Sequence, residues 1–277
     1  MSKVWFITGA ARGMGAEIAK AALAAGNQVV ATGRRVDVVT KALGTSENLF
    51  VTELDITREG QVKNAMEAAI NRFGRIDVLV NNAAYGHLGV FEETSLDEVR
   101  AQYDTNVFGT MAVTQAVIPF MRKQRSGRII NISSAAGLKG VFGGSIYNSS
   151  KFAVEGFSQS IAEELAPFGV YVTVVSPGFF RTDFLDLSSV KYSKAGISDY
   201  SEALAEFRDF HDNRNHTQVG DPAKLAYVVL QLVQVEKPPV SFVAGTDAVD
   251  WAKSVVNQKK EQLDEWHALS ISTDGTW

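Results

Sequence analysis

Val4-Trp5-Phe6-Ile7-Thr8-Gly9-Ala10-Ala11-Arg12-Gly13-Met14-Gly15 opens the chain with an apolar run followed by a glycine-rich turn. Val4–Thr8 reads as a strand, and Met14–Ala25 carries the spacing of a helix. The glycines between them follow the pattern glycine, three residues, glycine, one residue, glycine. They permit a tight turn and bring backbone N–H groups together at the positive end of the helix, where an anion is favoured. Such a turn is weak evidence alone; its place between a strand and a helix strengthens it.

The same alternation runs outward from this opening. Strands are expected at Gln28–Thr32, Asn48–Leu54, Ile76–Asn81, Arg128–Ser133 and Val170–Ser176, and helices at Gln61–Phe73, Ser95–Arg122 and Ile146–Pro167. Most of the strands are near-continuous apolar runs, as a parallel sheet covered on both faces requires. Gly26, Gly74, Gly127 and Gly169 each follow a helical stretch and precede a strand, the place of a C-terminal cap. The rhythm predicts an α/β fold, a Rossmann-like doubly wound parallel sheet flanked by helices, as one domain over residues 1–277. Past Pro177 the rhythm weakens. Phe179–Thr217 is expected to be an irregular, partly helical insertion beside a substrate pocket. Asp221–Val235 reads as a helix, Val240–Ala244 as a last strand, and residues 245–277 as a helical tail.

The 277 residues carry 27 Lys and Arg against 31 Asp and Glu, a net charge of -4, with no basic tract. A nucleic acid would need clustered positive charge, so no such partner is expected. The absence of cysteine excludes disulfides, thiolate metal sites and cysteine nucleophiles. His87, His211, His216 and His267 show no ligand spacing, so no metal is expected. No stretch approaches the roughly 18 apolar residues of a spanning helix, and the opening strand meets its glycines too soon for a signal peptide. The expectation is a soluble, cytoplasmic protein without membrane attachment.

A glycine turn after a first strand suits the pyrophosphate of a dinucleotide. The second strand should then end near the adenosine ribose, where NAD enzymes usually place an acid about 20 residues past the glycines. Here that place reads Thr32-Gly33-Arg34-Arg35, and the nearest acid, Asp37, falls inside the next helix. Guanidinium groups match a 2′-phosphate in charge and geometry. Arg34 and Arg35 therefore point to NADP rather than NAD, and Arg12 is expected to face the same phosphate.

Arg128–Ser133 runs into a second hydroxyl at Ser134, and Tyr147-Asn148-Ser149-Ser150-Lys151 follows at the start of a helix. Tyr147 and Lys151 stand at i and i+4, so they share a helix face and address one ligand. Reducing a carbonyl needs a proton donor as hydride arrives, and oxidising an alcohol needs a base. A free tyrosine titrates near 10, too high for an effective base at neutral pH. An ammonium about 4 Å away would contribute about 4 kcal/mol at an effective dielectric of 20, roughly three pKa units. Ser134 would hold the substrate oxygen. This set implies hydride transfer between NADP(H) and the carbinol or carbonyl carbon of an alcohol or ketone.

At these residues the chain resembles the short-chain dehydrogenase/reductase family, from Lys3 to about Thr182. The turn Thr8–Gly15, with Gly9, Gly13, Met14 and Gly15, resembles that family's T-G-x-x-x-G-x-G. Asn81-Asn82-Ala83-Ala84 is similar to its N-N-A-G segment, with Ala84 in place of the usual glycine. The resemblance implies catalytic roles for Ser134, Tyr147 and Lys151, and a structural and proton-relay role for Asn106. It implies that Asp55, with Ile56 beside it, lies near the adenine, and that Asn82 and Ala83 border the cofactor. Pro177-Gly178-Phe179-Phe180-Arg181-Thr182 resembles the P-G-x-x-x-T segment whose threonine meets the nicotinamide carboxamide. Lys151 would also hydrogen-bond the nicotinamide ribose, linking through Asn106 and a water to solvent. Gly33-Arg34 matches the NADP-preferring subset. Relatives commonly pair through helices equivalent to Ser95–Arg122 and Ile146–Pro167, so the family implies a homo-oligomer, a dimer or tetramer.

Other readings keep the fold. One retains the cofactor for epimerisation or dehydration, and another is an NADP(H)-sensing regulator. Phe179, Phe180, Phe184 and Leu185 suggest an apolar substrate or ordinary core packing. The tail, carrying Trp251, Trp266 and Trp277, is expected to pack on the body as an amphipathic helix; the alternative is a flap over the site or a subunit contact.

Overall fold

The computed structural model describes residues 2–194 and 196–275. Its strands are β1 (Val4–Ile7), β2 (Gln28–Gly33), β3 (Leu49–Glu53), β4 (Val78–Asn81), β5 (Gly86–Leu88), β6 (Gly127–Ile132), β7 (Val170–Pro177), β8 (Val190–Tyr192) and β9 (Ser241–Ala244). Its helices are α1 (Gly13–Ala24), α2 (Val36–Leu43), α3 (Glu59–Phe73), α4 (Leu96–Tyr103), α5 (Thr110–Gln124), α6 (Ser145–Leu165), α7 (Ser201–Arg214), α8 (Pro222–Gln234), α9 (Thr246–Glu265) and α10 (His267–Ile271).

Seven strands form one parallel sheet in the order β3-β2-β1-β4-β6-β7-β9. Side chains alternate between its faces, and both faces are apolar because both are covered. Trp5, Ile7, Val29, Ala31, Val78 and Val80 pack with Ile18, Ala22, Leu225 and Val229 from α1 and α8. Phe6, Val30, Leu79 and Ile129 face the other way, onto Met66, Val117, Met121, Ile161 and Leu165 from α3, α5 and α6. The strand order reverses between β1 and β4, and there the carboxyl ends of adjacent strands part to leave a crevice.

The helix expected over Ser95–Arg122 is interrupted. After α4, Asp104–Gly109 widens into a π-helical turn before α5 begins. The wider turn brings Asn106 inward, where it is 1% exposed and bonds to Tyr85 and to Ser150 on α6. Ser95 caps α4 through a reciprocal pair with Glu98. Gly127 is not the cap of α5: Arg125 takes the left-handed conformation (φ 54°), and Gly127 begins β6. A Cβ there would lie 2.5 Å from the Met121 sulfur, so a larger residue would have to displace that side chain.

Within residues 179–217 the chain contributes β8 and α7. β8 pairs in parallel with β5, forming a two-stranded ribbon beside the main sheet. Neither short strand carries a legible pattern, because three residues are too few to show a period. The tail departs from the packed helix expected of it. Ala248, Trp251, Ala252 and Val255 meet the body, but nearly every residue beyond Val255, through α10, is exposed. Among the described residues β9 is the last strand of the sheet, and Val256, Leu263, Trp266, Leu269 and Ile271 are exposed. Trp277 lies outside the described residues. No helix among those described is long and apolar enough to cross a membrane.

Candidate active site

A cleft of about 550 Å³ opens at the carboxyl edge of the sheet. Its first wall is the glycine turn. Thr8 Oγ1 accepts from the backbone N–H of Asn82 and of Ala83, at 2.9 and 3.0 Å. The Asn82 amide donates back to the carbonyls of Thr8 and Gly9, both at 3.1 Å. Asn82 therefore locks the turn between β1 and α1 to the end of β4. A Cβ on Gly9 would lie 2.9 Å from Ala83 Cα, and Gly9 has φ +66°. α1 starts with no side-chain cap and no acid in its first turn. Its leading N–H groups are thus left for an anion outside the chain.

Gly9, Arg12, Gly13, Met14, Arg34, Asp55, Ile56, Asn82 and Ala83 line this half of the cleft. Gly15 and Arg35 do not. Gly15 is buried behind the turn, where a Cβ would lie 2.4 Å from the Asn82 amide nitrogen. Arg35 points to solvent and meets Asp37 at 3.5 Å, so of the two adjacent arginines only Arg34 lines the cleft. Extended backbone at a strand end sends neighbouring side chains to opposite sides. Arg12 lines the cleft and donates to the Ser188 hydroxyl at 2.7 Å and carbonyl at 3.0 Å, tying the glycine turn to the segment before β8. Asp55 accepts from the Thr57 N–H and hydroxyl, bracing the turn after β3.

The second half is built on α6. Tyr147 and Lys151 are 9% and 3% exposed on its inward face. The Lys151 ammonium lies 5.8 Å from the Tyr147 ring centre and donates to the Ile132 carbonyl at 2.9 Å. Ser134 follows β6 and caps a short turn at Ala135–Gly137, accepting from the Ala136 N–H at 3.1 Å. Burial pushes the Tyr147 phenol up to about 12, with a hydrogen bond from Ser134 pulling the other way. Burial also lowers Lys151 to about 8, against the pull of Glu155. The acidified phenol expected from the i,i+4 spacing does not arise from these groups, because desolvation by burial outweighs the Ser134 hydrogen bond.

Asn106 does not line the cleft. Its side chain is spent on Tyr85 and Ser150, holding the segment after β4 against α6. Ser133, the earlier of the two serines, lies under α6 with its hydroxyl toward the Lys151 carbonyl at 3.5 Å. Pro177, Gly178, Phe180 and Thr182 line the cleft beyond β7. Gly178 packs on Asp247, whose carboxylate accepts from the Phe179 N–H at 2.8 Å.

The part of the cleft beside Tyr147 is apolar. Leu88, Tyr147 and Val190 form a buried cluster with Phe184, Leu185 and Phe207 packed on it. Phe184 lies 5.6 Å from the Tyr147 ring. One turn along α7 from Phe207, His211 donates through Nδ1 to the Phe207 carbonyl at 2.7 Å, and burial lowers its pKa. His211 on α7 and Gln218 in the segment after it bring polar groups to this lining, and neither is marked as a site residue by the sequence because tertiary packing alone brings them here. His216 meets Asp186 at 3.0 Å beside Asp183, a grouping that Asn215 already satisfies in part.

A model of the short chain dehydrogenase family matches residues 3–192, and the chain belongs to the short-chain dehydrogenase/reductase family of oxidoreductases. It is 36% identical to Oxidoreductase BOA17 of Botryotinia fuckeliana over 275 residues, covering 99% of this chain and 100% of that one. It is 35% identical to a 3-ketodihydrosphingosine reductase of Bacteroides thetaiotaomicron over 243 residues, 88% of each. A solved short-chain dehydrogenase from Streptomyces avermitilis superposes with a TM-score of 0.91 at 36% identity, over 99% of this chain and 100% of that one. Other structures of the fold have been solved with NAD or with NADP bound.

Proposed function

We propose that the chain transfers a hydride between NADP(H) and the carbinol or carbonyl carbon of an apolar alcohol or ketone. The observation that carries this reading is the joint burial of Tyr147 and Lys151 on one face of α6, with Ser134 opposite, in the cleft that the glycine turn shares.

The cofactor fits by the chain's own features. The uncapped start of α1 and the close glycine turn suit a pyrophosphate, and Arg34 at the end of β2 suits a 2′-phosphate. Asp55 and Ile56 would border the adenine, and Pro177, Gly178, Phe180 and Thr182 the nicotinamide end. When bound, the nicotinamide supplies or takes the hydride. Ser134 orients the substrate oxygen by hydrogen bonding. Tyr147 keeps its proton across neutral pH and gives it to that oxygen as negative charge develops there; in the oxidative direction it takes the proton back. Lys151 stabilises the phenolate side of this exchange with positive charge from below the ring.

The apolar cluster around Tyr147 supports an apolar acceptor, as does similarity to a reductase named for a long-chain ketone. The test is loss of reduced-nicotinamide absorbance with NADPH or NADH against a panel of long-chain and cyclic ketones. NADPH consumption with apolar ketones is expected. Tyr147→Phe should lower turnover about 10²–10⁴-fold while NADPH affinity stays within about threefold. Tight NADPH binding with no oxidation by any ketone would replace this reading with the sensor.

A further inference from the structure

The chemistry proposed above uses Tyr147 and Lys151 and leaves the next group on the same helix face without a task. Glu155 lies one turn beyond Lys151 on α6 and is 6% exposed. Lysine and glutamate are almost never fully buried unless paired, and an uncompensated buried ammonium costs several kcal/mol. The direct partner of the Lys151 ammonium is the Ile132 carbonyl, a dipole without net charge. Glu155 supplies the negative charge on that face, acting from one helical turn away and not as a direct ion pair.

Its carboxylate is held in place. Ser176, near the end of β7, donates to Glu155 Oε1 at 2.6 Å, and the Ser133 hydroxyl reaches it from the residue just past β6. The Ala135–Gly137 turn closes over its stem: a Cβ on Gly137 would lie 3.1 Å from Glu155 Cγ. β6, β7 and this turn thus present two hydroxyls and bare backbone, and among the described residues Lys151 is the charged group that acts on Glu155.

We propose that Glu155 is a positioning residue that keeps Lys151 in its ammonium form from one helical turn away, anchored for that task by Ser176 and Ser133. The role rests on the Tyr147 and Lys151 chemistry above only for its effect on turnover. The sign is fixed by the charges. Burial lowers Lys151 to about 8 and the Glu155 carboxylate pulls it up, so removing that charge makes Lys151 lose its proton at lower pH. Burial raises Glu155 itself, and the two serines and Lys151 draw it back toward the ionised form.

The test is a ¹³C NMR titration of lysine-labelled protein, with Lys151 assigned by the signal missing in Lys151→Met. Glu155→Gln should move the midpoint about one pH unit to lower pH. Ser176→Ala keeps the acid but loosens its anchor, and should move it the same way by less; it carries the test if Glu155→Gln does not fold. A Lys151 midpoint unchanged from the native protein overturns the pairing. The alkaline limb of kcat should follow the midpoint. A midpoint that moves while that limb stays keeps the pairing and instead removes Lys151 from the turnover chemistry.

Discussion

At the scale of single residues, charge and burial pull against each other throughout the cleft. Spacing alone put an ammonium beside a phenol and implied an acidified tyrosine. Packing places both where water is excluded, which holds the proton on Tyr147 and loosens the one on Lys151. That state suits a proton donor for ketone reduction. Arg34 and Arg35 teach a related lesson: two adjacent guanidiniums share a sequence signal, yet only Arg34 faces the cleft. Replacing Arg34 by aspartate should weaken NADPH binding about 10–100-fold and leave NADH affinity level or improved, as loss of a charge-assisted bond to phosphate dictates. Fluorescence titration with both cofactors reads the ratio, and an unchanged ratio would remove Arg34 from the phosphate. Arg35→Asp serves as the exposed control.

Among elements, the glycine turn and α6 carry the site, and they differ in how they do so. The turn works by having no side chains. A methyl on Gly15 would favour a helix by propensity, yet it would stand 2.4 Å from the Asn82 amide nitrogen and 2.5 Å from the Gly9 carbonyl. Gly15→Ala should therefore cost about 1–3 kcal/mol of stability as overpacking and reduce NADPH affinity at least tenfold. Thermal melts with and without NADPH measure both. A variant of native stability that binds normally would show that the turn has slack. α6 works by periodicity: Tyr147, Lys151 and Glu155 recur every four residues on its buried face. The first two were legible because a proton donor and a cation on one face have a chemical meaning. Glu155 was not, because a lone acid in a helix signals nothing until Ser176 and Ser133 are seen around it.

For the molecule as a whole, the sheet is covered but the helical layer is not. Phe108 in the π-helical turn and Phe152 on α6 are 58% and 42% exposed. Both rings stand on the elements through which the resemblance implies pairing, and we propose that a second copy of the chain covers them. Light scattering on the purified protein should give at least twice the chain's mass at micromolar concentration. A monomer under those conditions would remove the homo-oligomer from this account.

Read as a string, the chain determined the parallel sheet, its two-sided burial and where along the chain its main strands fall. These follow from local periodicity, which each segment displays by itself: continuous apolar runs, helical spacing and glycine between them. It also determined which residue types stand at strand ends and on one helix face, and so the class of chemistry. Only the tertiary structure decided the rest. Arg12 turned to Ser188, Asn106 withdrew into the core, Glu155 acquired two hydroxyls, His211 and Gln218 joined the cleft, and the tail beyond Val255 was left uncovered. Each of these depends on contacts between segments far apart along the chain. Where a side chain points, and how dry its surroundings are, belongs to the packed whole and has no local signature.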